Sequence, residues 1–318
     1  MDGHPLQLFS LASGDDYAKR LAARLETPLS RLEEREFEDG EHKVRPLVNV
    51  QGCDAYVIQS LYGDRERSVN DRLCRLLFLL ATLKDHGAWR VTAVLPYLCY
   101  ARKDRRTQPS DPVATRYVAA LFEAMRTDRV IAVEVHNEAA FENAFRCETR
   151  HVEMADAFAE HFDDLARRDR VVAVSPDAGG VKRVERFRRA LEQRAERRID
   201  NAFVEKYRGG GVVGGGALVG EVDGATAVIL DDIVSTGGTL LRAAHACRKG
   251  GARQVWAAAT HGLFVGGTPE LFSDGSLDGI VVADTVPPPS ALSPEARARL
   301  VVLDSTHHVA TAIGKARA

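Results

Sequence analysis

The sequence predicts an α/β protein made of two similarly built halves, each with a mainly parallel sheet flanked by helices. Its 318 residues suffice for about two domains of roughly 150 residues each. Short runs of strand length recur along the chain and are almost continuously apolar, which is typical of strands buried on both faces. Longer amphipathic stretches separate these runs. This alternation favours parallel sheets with helices on both faces.

The individual strands and helices follow from these two patterns. Strands are expected at residues 55–59, 91–95, 130–135, 171–175, 226–230, 255–260 and 279–283. Helices are expected at residues 70–86, 112–125 and 155–167. The first helix carries leucines at spacings of three and four residues, which lie on one helical face. We expect residues 1–149 to form one domain and residues 150–318 the other, with the last residues of the chain packing back on the first.

Charge and cysteine content exclude several classes of protein. The chain has 43 Lys and Arg against 45 Asp and Glu, a net charge of −2, which argues against a dedicated nucleic-acid-binding protein. No apolar run of about 18 residues is available to span a membrane, and we see no secretory signal at the start. The five cysteines form no C-x-x-C pair, so neither a zinc site nor a disulfide framework is expected. A cytoplasmic location fits these features best.

The strongest local signal lies at residues 228–240, which read VILDDIVSTGGTL. An apolar strand ends in two carboxylates, a turn rich in glycine and hydroxyl groups follows, and a helix begins. In open α/β sheets, ligands bind at the carboxyl ends of strands. Glycines let backbone N–H groups approach an anion, and a helix N-terminus adds positive potential. An ordinary strand–turn–helix with N-cap residues is the alternative, and it accounts less well for this clustering.

The two parts of this segment suit two groups of one ligand. The turn residues expected to bind a phosphate are Ser235, Thr236, Gly237, Gly238 and Thr239. Asp231 and Asp232 repel a phosphate, but they can accept hydrogen bonds from sugar hydroxyls or bind a hydrated Mg²⁺. A phosphorylated sugar would satisfy both parts. The segment is not a P-loop, because no G-x-x-x-x-G-K-[ST] pattern occurs.

A glycine-rich segment at residues 208–220 is compatible with two roles. It reads RGGGVVGGGALVG, with seven glycines among thirteen residues. Glycine at this density is costly to order. The segment is therefore either a flexible surface loop or part of a catalytic flap that closes over a substrate.

Six further segments occur in an order that resembles a known enzyme family. They are FEDGE at 37–41, PY at 96–97 with YARKDR at 100–105, VSPDAGG at 174–180, AFVEKYR at 202–208, THGLF at 260–264 and ADTVP at 283–287. Together with the phosphate-binding turn, they resemble ribose-phosphate pyrophosphokinase (phosphoribosyl pyrophosphate synthetase), a family of the phosphoribosyltransferase superfamily. The resemblance covers nearly the whole chain. It implies two tandem phosphoribosyltransferase-like domains, the first binding a nucleotide and the second ribose 5-phosphate.

The resemblance also implies roles for individual residues. The ATP-binding residues would be Phe37, Asp39, Glu41, Arg102, Lys103 and Asp104. Adenine would lie between Arg102 and Phe37 of a neighbouring subunit, and both side chains offer the flat faces that stacking requires. Ribose 5-phosphate would bind to the turn and to the carboxylates of the 228–240 segment. His136 and Asp177 would be Mg²⁺ ligands, and Lys206 and Arg208, just before the glycine-rich stretch, would be catalytic.

The implied reaction converts ATP and ribose 5-phosphate into 5-phosphoribosyl 1-diphosphate and AMP, with Mg²⁺ as cofactor. The resemblance further implies a homo-oligomer built from dimers, such as a hexamer, with neither nucleic acid nor membrane as partner. Two other functions stay open. One is a non-catalytic regulatory homologue, which the retained flap and turn residues argue against. The other is a conventional phosphoribosyltransferase, which leaves the segments at 37–41 and 100–105 unexplained.

This chain departs from the family pattern around the expected ATP phosphates. Residues 137–145 read NEAAFENAF, where the family usually carries glutamines and a glycine. Lys103 stands where glutamine is common, and Ser235 stands where many members have aspartate. These departures leave the nucleotide preference and the rate open, as well as the use of another acceptor.

Overall fold

The computed structural model describes residues 3–11, 15–205, 208–209, 212–213, 217–266, 268–290 and 292–317. The chain divides into two compact units, Met1–Glu153 together with Thr306–Ala318, and Met154–Ser305. The division falls after Glu153 rather than after residue 149, because the strand Glu148–Val152 pairs with a strand of the first unit. The segment that begins at Thr306 also belongs to the first unit.

The first unit is built around a parallel sheet. Its elements are β1 (Leu6–Ser10), α1 (Asp15–Arg24), β2 (Leu32–Glu36), β3 (His42–Pro46), β4 (Asp54–Ile58), α2 (Val69–Asp85), β5 (Arg90–Leu95), α3 (Ala114–Ala124), β6 (Arg129–Val133), α4 (Glu138–Ala144), β7 (Glu148–Val152) and the C-terminal helix Thr306–Arg317. Within the described residues, five strands form the sheet in the order β1-β4-β5-β6-β7, all parallel. β2 and β3 form a separate antiparallel hairpin.

Burial explains why this sheet forms. Every residue of β4 and β6 is buried, as is all of β5 after its first residue. Helix α2 begins with a capping box, in which Ser68 and Asp71 each accept a hydrogen bond from the other's backbone N–H. Its inner leucines, among them Leu76, Leu80 and Leu83, are fully buried in the core of the unit. The leucine spacing in the sequence therefore predicted the packed face of this helix.

The second unit has a larger, mostly parallel sheet. Its elements are α5 (Ala155–Arg168), β8 (Val171–Ser175), α6 (Val181–Ala195), β9 (Asp200–Glu205), β10 (Arg208–Gly209), β11 (Val212–Val213), β12 (Ala217–Val219), β13 (Thr226–Val234), α7 (Gly238–Lys249), β14 (Gln254–Gly262), α8 (Thr268–Ser273), β15 (Gly279–Ala283), α9 (Pro294–Ala298) and β16 (Leu300–Leu303); the C-terminal helix of the first unit is then α10. In the part of the chain that is described, seven strands pair in the order β12-β9-β8-β13-β14-β15-β16. β12 is antiparallel to β9, and the other pairs are parallel.

The strand order of the second sheet reverses between β8 and β13. After β8 the chain adds β9 on one side, and after β13 it adds β14 on the other. Crevices at such reversals, at the carboxyl ends of the strands, are where open α/β sheets bind ligands. The segments that leave these two strands begin at Pro176 and Ser235. The segment after β8 belongs to the motif at residues 174–180, and the segment after β13 is the predicted phosphate-binding turn.

The prediction of an α/β fold with mainly parallel sheets is confirmed. A local difference occurs at the phosphate-binding motif. β13 extends to Val234 rather than ending at residue 230, because Ile233 and Val234 keep their pairing with β14. Asp231 and Asp232 therefore lie inside the strand instead of after it. No helix among the described residues is both long enough and apolar enough to cross a membrane.

Candidate active site

The turn between β13 and α7 has the geometry of an anion-binding site. Residues 235–239 enter the N-terminus of a helix of 12 residues, where unpaired backbone N–H groups and the helix dipole favour an anion. Gly237 caps the helix with φ at +80°, in the left-handed region that favours glycine. A Cβ at this position would lie 2.9 Å from Cδ1 of Leu271. The backbone conformation therefore favours glycine, and a Cβ here would in addition require the Leu271 side chain to shift. The structure brings all five predicted phosphate ligands together in this turn.

Arg242, a cation that the sequence analysis missed, lies beside this turn. It is in the second turn of α7, and its Nη2 donates a hydrogen bond of 3.2 Å to Oγ1 of Thr239. Its Nη1 is 3.5 Å from the position that a Cβ on Gly238 would occupy. The spacing of three residues from Thr239 on a predicted helix was the available signal. Arg242 adds positive charge to a turn that otherwise offers only backbone and hydroxyl donors.

The carboxylates of Asp231 and Asp232 lie against a partly buried arginine that the sequence analysis also missed. Nη1 of Arg183 is 3.6 Å from Oδ1 of Asp231 and 3.5 Å from Oδ1 of Asp232. The side chains of Asp231 and Asp232 are 18% and 5% exposed, so Asp231 is the more accessible of the two. Burial and the charge of Asp232 raise the pKa of Asp231 well above its ordinary value of 3.8, and Arg183 opposes the rise. No sequence pattern links α6 to β13, because only the folded sheet brings them together.

Asp177 closes the loop after β8 with its own side chain. Its Oδ1 accepts hydrogen bonds from the backbone N–H groups of Gly179 at 2.9 Å and Gly180 at 3.3 Å. Ser175 donates from Oγ to the carbonyl oxygen of Asp177 at 2.6 Å, and a Cβ on Gly180 would meet that same Oγ at 2.7 Å. The loop is therefore compact, and it places the Asp177 carboxylate at the N-terminal end of α6.

The predicted flap is described only in part. Lys206 lies outside the described residues, and so does the side chain of Arg208. The backbone of Arg208 begins β10, which pairs with β11 in a two-residue antiparallel ladder. β12 then returns antiparallel to β9. The segment 208–220 thus contains short strands in addition to its glycines.

In the first unit, the segment at 37–41 forms the tip of the β2–β3 hairpin. Phe37 is half-buried, and the guanidinium carbon of Arg35 lies 4.9 Å from the centre of its ring. Asp39 accepts a hydrogen bond of 3.1 Å from the N–H of Glu41 through Oδ1, which fixes the turn around Gly40. Asp39 therefore has a structural role in the turn. Phe37 already has a cation on one face, which the sequence analysis did not foresee.

The basic segment after β5 is partly neutralised within the same unit. Arg102 is exposed, but Lys103 donates from Nζ to Oδ2 of Asp111 at 2.5 Å. Hydrogen bonds from Lys103 and Thr107 hold the pKa of Asp111 well below its ordinary value. Asp104 accepts a hydrogen bond of 2.6 Å from the side-chain amide of Asn137. Of the predicted ATP-binding residues in this segment, Arg102 is thus the exposed cation, while Lys103 and Asp104 are paired.

His136 is exposed at the end of a tightly held turn after β6. Glu134 has φ at +39°, and the backbone N–H of Val135 donates to Nε2 of His151 at 3.2 Å. Nδ1 of His151 is 3.3 Å from Oε1 of Glu138. Glu138, His151 and Glu153 offer ligand atoms within 4.8 Å of one another. However, Nε2 accepts the Val135 hydrogen bond, so neutral His151 carries its proton on Nδ1 and has no lone pair there for a metal. His151 therefore serves to hold the turn.

Comparison with known proteins places this architecture in one family. The chain matches the N-terminal domain of ribose phosphate pyrophosphokinase over residues 6–125 and the phosphoribosyl synthetase-associated domain over residues 215–315. The ribose-phosphate pyrophosphokinase of Shewanella oneidensis is 35% identical over 293 residues, covering 91% of this chain and 88% of that protein. The ribose-phosphate pyrophosphokinase of Nostoc sp. is 33% identical over 291 residues, covering 91% of this chain and 85% of that protein.

A solved structure gives the same result for the fold. The crystal structure of phosphoribosylpyrophosphate synthetase from Mycobacterium smegmatis matches with a TM-score of 0.87 at 29% identity and covers 97% of both chains. The expectation of two tandem phosphoribosyltransferase-like domains is therefore confirmed. The identities and the coverage together show that this chain belongs to the ribose-phosphate pyrophosphokinase family.

Proposed function

We propose that this chain transfers the diphosphoryl group of ATP to the C1 hydroxyl of ribose 5-phosphate, giving 5-phosphoribosyl 1-diphosphate and AMP. The observation that carries the proposal is the arrangement at the end of β13. There a paired-carboxylate strand and a hydroxyl-rich, glycine-capped helix N-terminus stand next to each other at the reversal of the strand order. A sugar phosphate offers a diol to the carboxylates and an anion to the helix N-terminus.

The sugar site is assigned from the properties of its side chains. The 5-phosphate lies on residues 235–239, where it accepts hydrogen bonds from backbone N–H groups and from the hydroxyls of Ser235, Thr236 and Thr239. Arg242 adds a positive charge at the same turn. Asp231 accepts from the ribose hydroxyls, with Asp232 behind it. This orientation fixes the position of C1 and its hydroxyl group for attack.

The nucleotide site is assigned to the first unit. Arg102 is an exposed cation at the carboxyl end of β5 and is suited to stack on adenine. Phe37, at the tip of the β2–β3 hairpin, supplies the second face from a neighbouring subunit, so we propose a dimer-based homo-oligomer, such as a hexamer. Glu41 and Asp39 lie on the same hairpin tip. Lys103 and Asp104 are at present paired with Asp111 and Asn137. They contact the nucleotide either after leaving these partners or indirectly, through them.

Of the residues proposed as metal ligands, Asp177 offers the oxygen donor that Mg²⁺ prefers. It is a partly exposed carboxylate, and two backbone N–H groups fix the position of its Oδ1. His136 is exposed after the turn that Val135 and His151 hold, and its assignment to Mg²⁺ rests on the resemblance to the family. Mg²⁺ usually takes only one or two protein ligands and completes its octahedron with water and phosphate oxygens. When bound, Mg²⁺ neutralises phosphate oxygens.

The transferred group is stabilised by charge rather than by a strong base. We assign Lys206 and Arg208 to the transition state, where negative charge spreads over the phosphoryl oxygens. Both substrates are metabolites of the cytoplasm, and we propose that the enzyme acts there.

The first test is incubation of the purified chain with ATP, Mg²⁺ and ribose 5-phosphate, with AMP and ADP separated by chromatography. We expect AMP that forms only when the sugar is present and whose amount equals the sugar consumed. A regulatory homologue would release no AMP. A conventional phosphoribosyltransferase would release diphosphate from 5-phosphoribosyl 1-diphosphate when a base is supplied. Either result in place of sugar-dependent AMP would reject the proposal.

A further inference from the structure

Arg183 is a largely buried cation, only partly accessible to solvent, in an unusual position. It belongs to the first turn of α6, and its side chain is only 14% exposed. A positive charge near a helix N-terminus is disfavoured by the helix dipole, and burial of that charge adds a desolvation cost. Nearby negative charges must offset both terms. The carboxylates of Asp231 and Asp232, on the neighbouring strand β13, provide them.

Arg183 contacts one oxygen atom of each of the two carboxylates. Oδ1 of Asp231 is 3.6 Å from Nη1 of Arg183 and also accepts a hydrogen bond of 2.9 Å from the backbone N–H of Asp232. Oδ1 of Asp232 is 3.5 Å from the same Nη1. One guanidinium nitrogen thus bridges the inner oxygens of two carboxylates. Without this bridge, the two neighbouring carboxylates would repel each other more strongly, and one of them would rotate away from the other.

We infer that Arg183 is a positioning residue of the sugar site: it holds the Asp231 and Asp232 side chains so that Oδ2 of Asp231 accepts from the ribose 2,3-diol. This inference rests on the proposed binding of ribose 5-phosphate at the β13–α7 turn. It goes further in assigning the source of selectivity for the sugar. Arg183 also offsets one of two negative charges next to the turn that binds the 5-phosphate dianion, so its loss weakens binding of the anion as well.

The selectivity for ribose over 2-deoxyribose is the property that separates this role from a purely structural one. A carboxylate fixed in one orientation discriminates strongly against a sugar that lacks one hydroxyl, because an oriented acceptor is then left unpaired. A carboxylate that rotates freely loses that discrimination. Damage to the unit as a whole would instead weaken the binding of both sugars equally and leave their ratio unchanged.

The experiment measures binding of ribose 5-phosphate and 2-deoxyribose 5-phosphate by calorimetry without ATP, so it does not depend on turnover. The variants are Arg183→Gln and Arg183→Lys. The control is Arg189→Gln, which removes an arginine 70% exposed on the same helix and paired with Glu185. We expect Arg183→Gln to weaken ribose 5-phosphate binding about tenfold or more and to lower the ribose-to-deoxyribose ratio, with Arg183→Lys intermediate and the control unchanged.

Three outcomes would overturn the inference. An unchanged ratio in both Arg183 variants would show that the arginine does not orient the diol acceptors. An equal change in Arg189→Gln would show a general effect of charge. Failure of the parent chain to bind ribose 5-phosphate would remove the site itself. If Arg183→Gln does not fold, Arg183→Lys alone decides, since it keeps the charge and loses the bridging geometry. A parent that binds with discrimination but releases no AMP would reject the proposed function and leave this inference standing.

Discussion

Asn137 donates a hydrogen bond of 2.6 Å from its side-chain amide to Oδ2 of Asp104. This bond joins the turn that carries His136 to the basic segment that carries Arg102. Asn137 also caps α4, because its Oδ1 accepts from the N–H of Ala140. Asn137 thus ties together two segments assigned to the nucleotide.

Asn137→Asp should test this tie with the helix cap preserved. The change keeps the capping oxygen but places a second carboxylate opposite Asp104, so the bond becomes a repulsion. We expect the KM for ATP to rise about threefold to tenfold, with the KM for ribose 5-phosphate unchanged. Adding Asp104→Asn restores a donor–acceptor pair and should recover part of the loss. Steady-state kinetics measure both values, and a double variant no better than the single one would argue against the tie.

Gly237→Ala should weaken the phosphate-binding turn for two separable reasons. The left-handed φ costs about 1 kcal/mol for a residue with a Cβ, and the new Cβ would lie 2.9 Å from Leu271. Gly224 is the matched control, since it has φ at +66° and open space around its Cβ position. Both variants should lose similar stability from the backbone, but Gly237→Ala alone should raise the KM for ribose 5-phosphate, about tenfold. Equal KM values in the two variants would contradict the assignment of this turn.

The pH dependence of stability should report on the Asp231 carboxylate. Its pKa in the folded chain is raised, because burial and Asp232 disfavour the charged form. The folded state therefore holds this proton more tightly than the unfolded chain, and the stability it contributes is lost as the pH rises through the raised pKa. The Asp231→Asn variant has no such carboxylate, so it does not lose this stability as the pH rises. The free energy of unfolding of the variant, relative to that of the parent, should therefore rise by about 1 kcal/mol or more between about pH 5 and about pH 8.

Denaturant titrations at the two pH values measure this difference. Asp164→Asn, at a carboxylate 83% exposed in the same unit, is the control and should show no such trend. A relative stability of Asp231→Asn that stays constant with pH would mean that the carboxylate is not held in the environment described here.

The C-terminal helix should stabilise the first unit through a shared buried carboxylate. Asp54 is 1% exposed, and Arg90 contacts it through two hydrogen bonds of 2.9 and 2.7 Å. Arg317 of α10 adds a third contact at 3.3 Å. Removing one partner of a buried ion pair costs about 3 kcal/mol, so Arg90→Met should cost about that much and Arg317→Met about 1 kcal/mol. The chain has two tryptophans, Trp89 and Trp256. In a Trp256→Phe background, the fluorescence of Trp89, which lies beside Arg90, therefore reports unfolding of the first unit. Equal costs for the two variants would contradict the ranking.

Lys206→Ala should lower turnover about 100-fold or more, with the KM for ATP little changed. This expectation follows from the proposed assignment of its charge to the transferred group in the transition state rather than to the bound nucleotide. Arg189→Gln, on the surface of α6, is the control for removal of a cation. Turnover within a few-fold of the parent would remove Lys206 from the catalytic group.

Local sequence predicted the parts of the site that are local in the chain. The carboxylates, the turn and the helix start fall within residues 228–240, so their juxtaposition needs no knowledge of the fold. Arg183 was not predictable in this way, because only the pairing of β8 with β13 brings the start of α6 to the carboxylates. The role of Asp111 as the partner of Lys103 was missed for another reason, since a charged loop offers no periodicity from which to choose a partner.

The fold shows the same division. Buried strands such as β6 were predicted because residues 130–133 form a continuous apolar run. The hairpin strand β2 reads LEERE and is half-exposed, so no apolar run marks it. β7 was also missed, since only its last residue is buried. That omission displaced the predicted boundary between the two units, because β7 completes the first sheet.

The most direct test of the proposed reaction is the identity of the phosphorylated sugar that accumulates when the chain is incubated with ATP, Mg²⁺ and ribose 5-phosphate. Phosphorus NMR distinguishes a diphosphate ester at C1 from a monophosphate ester. We expect a C1 diphosphate, formed in equal amount to AMP and absent without the sugar. A sugar carrying a single new phosphate, accompanied by ADP, would contradict this expectation.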